Sequence, residues 1–177
     1  MDVNLNEIVR FHNYVRRELS NRAFELKDDP VEKSALENYD GHLAGNTFLM
    51  IYAYVEEFLY LRSQALRGEV QRNPRDHSIT RYRPVLAYLG VGHTLPSWQF
   101  LVIARAIRHC LLHANGRVSH MTQYRGVVEA AASRFAGELD VQHDRIHIRT
   151  EFVARMIVEV RDFRSVVEQA VARHGGR

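Results

Sequence analysis

The chain has 177 residues, 46% of them apolar and 25% charged, with a formal net charge of +3 and a sequence pI near 9.2. That length and balance fit one folded domain and exclude a disordered or fibrous chain, while the small basic excess is compatible with an acidic partner such as RNA without singling it out. A lone cysteine, Cys110, excludes an internal disulfide and a cysteine-based zinc cluster, and the most apolar stretch, Phe48 to Val55, ends at Glu56 and Glu57, far short of the about 20 residues of a membrane span.

Met1-Asp2-Val3-Asn4 has neither the basic start nor the apolar segment of a secretory signal, so a cytoplasmic location is expected. Helix-period apolar positions dominate and strand-like alternation is scarce, which predicts a mostly α chain. An opening helix from Leu5 to Leu26 sets Leu5, Ile8, Phe11, Tyr14 or Val15, and Leu19 on one side, and Asp28-Asp29-Pro30 ends it. Val31 to Tyr39 reads as a short segment that leads through Asp40-Gly41 into a second long helix, His42 to Arg67. Its buried stripe is Phe48, Ile51, Val55, Phe58 or Leu59, and Arg62. Tyr52, Tyr54, Phe58 and Tyr60 read as core and helix contacts, not as a platform for stacking bases.

Gly68 closes that helix, and Gln71 to Thr80 reads as an exposed loop. A brief helix is expected over Arg83 to Leu89, followed by a turn at Gly90-Val91-Gly92-His93. Thr94 as N-cap and Pro96 in the first turn begin a third long helix, Leu95 to Ala114, with Asn115-Gly116 as its left-handed stop. Thr122 to Leu139 is expected to hold a short helix, and Arg145 to Ile148 a β-like excursion. Thr150 reads as the N-cap of a last helix carrying Phe152, Val153, Met156, Val160, Phe163, Val167 and Val171 at helical spacing, and Gly175-Gly176-Arg177 should fray. The sequence has no internal repeat, P-loop or dinucleotide fingerprint, and no cofactor is implied.

The third long helix carries the chemistry. Its period puts Phe100, Ile103, Ile107, Cys110, Leu111 and Ala114 on the core side. The opposite face gathers Arg105, Arg108, His109 and His113 together with Leu101 and Leu112, a mixture that predicts a subunit interface. An arginine supplies a permanently charged planar fork for phosphate oxygens, and a histidine both gives and takes a proton near neutral pH. Arg108 and His113 lie five positions apart and project from opposite flanks of that face. Two copies of the helix meeting across a two-fold axis would therefore converge their cations on one cleft.

Arg108-His109-x-x-x-His113 resembles the R-x4-6-H signature of the HEPN superfamily, with the second-position polarity also seen in type VI CRISPR ribonucleases. Trp98 upstream and the ending His113-Ala114-Asn115-Gly116 look like RiboL-PSP-type or Apea-type HEPN proteins, and Tyr52-Ala53-Tyr54-Val55-Glu56-Glu57-Phe58-Leu59 looks like the family's acidic second helix. The resemblance covers Asn46 to Gly116 and, loosely, the final helix. It implies one domain over residues 1–177, an up-and-down bundle of four to five main helices, and a homodimer with a composite active site. It also implies a metal-independent endoribonuclease that leaves a 2′,3′-cyclic phosphate, in the setting of a toxin with its antitoxin or of phage defence.

By that resemblance His113 is the general acid or base and Arg108 stabilises the phosphoryl charge. His109 and Arg105 would support the site or bind RNA, Asn115 would orient the histidine or hold phosphate, and Glu56 would pin Arg108. Other readings stand beside these. Arg108, His109 and His113 also fit a solvated helix end where cations meet the macrodipole, Asn115-Gly116 is sufficient as a helix stop, and Glu56 fits an ordinary exposed carboxylate. A HEPN-like module that binds RNA or protein without cutting is the second functional reading. A metal-dependent hydrolase built on His109/His113 or His143/His147, both at i, i+4 spacing, is the third. The first pair lacks a following glutamate and the second lies in an irregular segment, so no metal site is assigned.

Overall fold

Periodicity at 3.6 residues becomes helix along most of the chain. The computed structural model describes residues 3–25, 30–66 and 68–175. Its helices are α1 (Val3–Glu25), α2 (Pro30–Ala65), α3 (Arg83–Tyr88), α4 (Pro96–His113), α5 (Arg125–Arg134) and α6 (Thr150–Gly175). Strands β1 (Leu139–Gln142) and β2 (Arg145–Ile148) form one antiparallel hairpin, and 3-10 turns occupy Ser78–Tyr82 and Val118–His120. The helical stops expected at Leu26 with Asp28-Asp29 and at Arg67, and the tail Gly176-Arg177, lie outside the described residues. Gly175, expected to fray, is the last residue of α6.

The packed side of α1 follows the expected positions except at Phe11, which gives way to His12. Leu5 and His12 are buried and Ile8, Val15 and Leu19 half-buried, whereas Phe11 is 55% exposed and Tyr14 57%. His12 reaches α2, where its Nδ1 is hydrogen-bonded to Thr47 Oγ1 at 2.9 Å. Spacings of three and four from Leu5 select His12 for the seam, where the hydroxyl across it satisfies Nδ1 and Nε2 is buried without a hydrogen-bond partner among the described residues.

α2 runs unbroken through Asp40 and Gly41, where a turn was expected. A glycine inside a helix costs only about 1 kcal/mol relative to alanine, and α2 packs along α1, α6 and β2, which outweighs that loss. The stretch expected as an exposed loop tightens at its end into the 3-10 turn Ser78–Tyr82, burying Ile79, Thr80 and Tyr82. Two expected caps also fail. Leu95, not Thr94, holds the N-cap of α4 with no side-chain bond, and Pro96 fills the first turn. Thr150 is the first residue of α6, whose first amides, Phe152 and Val153, donate to Arg149 O.

One contiguous apolar cluster joins α2, α4 and α6. Phe152 is its hub, with ring centroids 6.0 Å from Phe48, 5.5 Å from Phe100 and 5.5 Å from Phe135. Further along, Phe163 packs on Trp98 at 5.7 Å and edge-on to Phe58 at 6.5 Å. Along α6 the buried stripe follows the expected positions up to Val167, after which Ala170 is buried and Val171 half-buried. The hairpin turns on His143 and Asp144, both left-handed with φ of 49° and 67°, and Asp144 is anchored by the Ser119 amide and hydroxyl. No helix among the described residues is long and apolar enough to cross a membrane.

Candidate functional site

α4 is surrounded by α2, α5, α6 and the 3-10 turn Ser78–Tyr82, so its buried arc is wider than that of a surface helix. Leu101, expected on the basic face, is 0% exposed and belongs to the core. Ile103 and Leu111, expected in the core, are half-buried. The mixed basic and apolar face therefore reduces to Leu112, 49% exposed, beside the cations. The helix ends as its Asn-Gly sequence predicts: Asn115 and Gly116 adopt φ of 49° and 73°, and the Gly116 amide donates back to Cys110 O at 3.0 Å.

Arg105, His109 and His113 follow one another at one-turn intervals along α4, with Arg108 beside them, and all four line a single cavity of 870 Å³. Arg108 and His113, expected on opposite flanks of one helix face, both line this cavity within a single chain. Glu56, Glu57 and Tyr60 of α2 form a second wall. The segment before α3 adds Arg72, His77, Ser78, Arg81 and Tyr82, and Gln123 and Tyr124 close the side nearest α5.

A chain of contacts fixes Arg108. Its Nη2 lies 3.5 Å from Glu56 Oε2, and its guanidinium carbon sits 5.4 Å from the centroid of the Tyr52 ring. Ser78 Oγ donates to Glu56 Oε1 at 2.6 Å, so its only hydroxyl proton is committed. The Tyr52 hydroxyl must then donate to Ser78 Oγ, 2.8 Å away. Burial, the largest influence, pushes the Tyr52 phenol well above its ordinary pKa, and the Ser78 hydrogen bond pulls the other way. The guanidinium is thus held by a carboxylate on its edge and an aromatic face beneath it.

Arg105 is fixed by Tyr124, whose hydroxyl accepts from Nη2 and whose ring centroid is 4.9 Å from the guanidinium carbon. Tyr124 holds a left-handed backbone, φ 65°, as N-cap of α5, and its edge meets the His109 ring at 5.5 Å. The His109 and His113 rings are 4.7 Å apart and tilted by 46°. Partial burial pushes the His109 pKa down, and the neighbouring His113, Arg105 and Arg108 push it further in the same direction. Arg81, which also lines the cavity, has its Nε buried without a hydrogen-bond partner among the described residues.

Five of the six expected site residues, Arg105, Arg108, His109, His113 and Glu56, share this cavity. Asn115 does not: it lines a separate cavity of 360 Å³ with Gly116, Arg145 and His147, and its carbonyl accepts from Arg145 Nη1 at 3.1 Å. The left-handed turn that stops α4 carries Asn115 away from His113. His143 and His147 lie in a hairpin turn and on β2, so their spacing is not one helical turn. Among the described residues no group of three or more His, Cys, Asp or Glu is placed to hold a metal ion.

Ser78, Tyr124, His77, Arg81 and the ring of Tyr52 are site residues that the sequence reading missed. Tyr60, read as a core contact, is 43% exposed and lines the cavity under Arg72. Ser78 and Tyr124 share one signal, a non-glycine residue at positive φ, 55° and 65°, of the kind that collects at functional sites. It exists only in three dimensions. No family model, curated protein or solved structure matches this chain.

Proposed function

We propose that this protein is a metal-independent endoribonuclease of the HEPN kind, built on a HEPN-like helical bundle, which cleaves RNA by attack of a 2′-hydroxyl on the adjacent phosphate. What carries the reading is the Arg108 guanidinium, gripped by Glu56 and Tyr52, facing the same cavity as His113. A guanidinium held in place loses little on meeting the phosphoryl oxygens as charge grows on them. His113 moves the proton. Four arginines, Arg72, Arg81, Arg105 and Arg108, against Glu56 and Glu57 make the walls suited to a polyanion. The proposal includes a homodimer with a composite active site, in which Leu112 lies at the contact and the second copy brings its own cations to the cleft. A toxin held by an antitoxin, or an effector of phage defence, is the proposed setting.

The test is incubation of purified protein with single-stranded RNA in chelator. Products ending in 2′,3′-cyclic phosphate and 5′-hydroxyl, lost in His113→Ala, are expected. Cutting that requires added divalent ions would move the assignment to a metal-dependent hydrolase, and RNA binding without products would move it to a non-cutting RNA-binding module. Growth arrest on expression, relieved by His113→Ala, is the expected counterpart in cells.

A further inference from the structure

His109 is more enclosed than a solvated helix position needs to be. One side of its ring meets His113 and another meets the edge of Tyr124, and both imidazoles line the cavity that holds Arg108. Attack of a 2′-hydroxyl on phosphorus involves two proton transfers, one from the entering oxygen and one to the leaving oxygen, and both oxygens are bonded to the same phosphorus. Two imidazoles with centroids 4.7 Å apart can serve both within one substrate pose, whereas one imidazole must serve them in turn.

The two rings have different surroundings. His109 is half-buried with Arg105 and Arg108 on the same helix, where neighbouring charge and lost water disfavour its cation. His113 is exposed in the last turn of α4, open to solvent on the cavity side. The other ionisable groups of the cavity are Glu56, Glu57 and Tyr60 from α2 and Tyr124 before α5. From the segment before α3 come Arg72, His77, Arg81 and Tyr82. Glu56 is already engaged by Arg108 and Ser78.

We propose that His109 and His113 act as a base and acid pair on one phosphate. Neutral His109 takes the 2′-hydroxyl proton as the O2′–P bond forms, and protonated His113 gives its proton to the 5′-oxygen as the P–O5′ bond breaks. One proton is gained at His109 and one lost at His113, and exchange with water resets both. This assignment rests on the RNA-cleaving reading above and adds a second catalytic imidazole to it.

The test compares the full-length wild-type protein, His109→Ala, His109→Gln and His113→Ala in chelator on two strands: a single-stranded RNA of mixed sequence, and the same RNA with a bridging 5′-sulfur at the linkage the wild type cuts fastest. Sulfur departs without needing a proton. On ordinary RNA every variant is expected to lose about 100-fold or more. The sulfur linkage is expected to return His113→Ala to within about tenfold of wild type and to leave both His109 variants depressed. RNA affinity by fluorescence anisotropy and the thermal midpoint, unchanged in His109→Gln, separate lost proton transfer from lost fold. Wild-type cutting of ordinary RNA by His109→Gln, or sulfur rescue of the His109 variants as well as His113→Ala, overturns the pair and leaves the cleavage reading standing. A wild-type protein that cuts neither strand overturns the cleavage reading and the pair together.

Discussion

Arg108 on α4 and Glu56 on α2, distant in the chain, meet at 3.5 Å over the ring of Tyr52. Both side chains keep more than a quarter of their surface exposed, so the pair contributes little to stability by itself, about 1 kcal/mol or less. Its consequence is orientation. The guanidinium is fixed at the cavity wall, at the cost of a carboxylate that competes with substrate for it.

Replacing Arg108 therefore separates stability from activity. Arg108→Ala is expected to lower the cleavage rate by about 100- to 1,000-fold while shifting urea stability by about 1 kcal/mol or less. Arg108→Lys keeps the charge but not the planar fork and should recover only part of the rate. Steady-state cleavage with parallel urea titration checks both; an Arg108→Ala protein cutting at the wild-type rate removes Arg108 from the chemistry.

Ser78 bridges Tyr52 and Glu56 with one hydroxyl, and Tyr52 is fully buried. Ser78→Ala strands the phenol proton and one carboxylate oxygen, and an unsatisfied buried polar group costs about 1–3 kcal/mol. Tyr52→Phe takes away the phenol and leaves the Ser78–Glu56 bond in place, so its loss should be smaller, about 0.5–1.5 kcal/mol. Urea denaturation of the two variants gives the order directly. A larger loss in Tyr52→Phe than in Ser78→Ala would contradict the bridge.

Acid should weaken the fold through two histidines. Burial, the largest cause, holds the pKa of His12 below 6.5, with Arg16 acting in the same direction and Asp40 against it. Burial and its cationic neighbours do the same to His109. A lowered folded pKa means that the unfolded chain binds more protons in the window below 6.5, so stability is complete above that pH and declines as pH falls toward the folded values. The urea midpoint of the wild type is expected to drop between about pH 7.5 and about pH 5.5, and to drop less in His12→Gln. Equal declines in both proteins would remove His12 as a contributor.

Leu112 tests the dimer. It is the one apolar residue left on the basic side of α4 once Leu101 is placed in the core. Sedimentation velocity is expected to show a concentration-dependent dimer for the wild type and a monomer for Leu112→Asp, with helical content unchanged. A wild type that stays monomeric at every concentration, or a variant that dimerises as well, would place the contact elsewhere or dispense with it.

Much of this protein was open to reading from the chain itself. Helical period located α1, α4, α6 and the later two thirds of α2, with the apolar stripe of α6, because main-chain hydrogen bonding and side-chain direction repeat over a few residues, and the Asn115-Gly116 dipeptide located the stop of α4. The same period put Arg105, His109 and His113 on one line of α4. Where local signals were weak the reading failed: α2 begins at Pro30 and not after Gly41, Phe11 yielded the α1 seam to His12, and Leu101 moved into the core. Each of those outcomes depends on what lies across the gap, which no local pattern specifies.

The site is divided in the same way. Sequence determined that an arginine and two histidines share one helix surface, since their spacing and the helix pitch suffice for that. Tertiary structure alone decided that Glu56, Ser78 and Tyr52 would hold Arg108, that Tyr124 would close against His109, and that Asn115 would turn away. Those meetings join residues from different elements, two of them through left-handed backbones, and packing of α2 and the flanking segments against α4 is what brings them together.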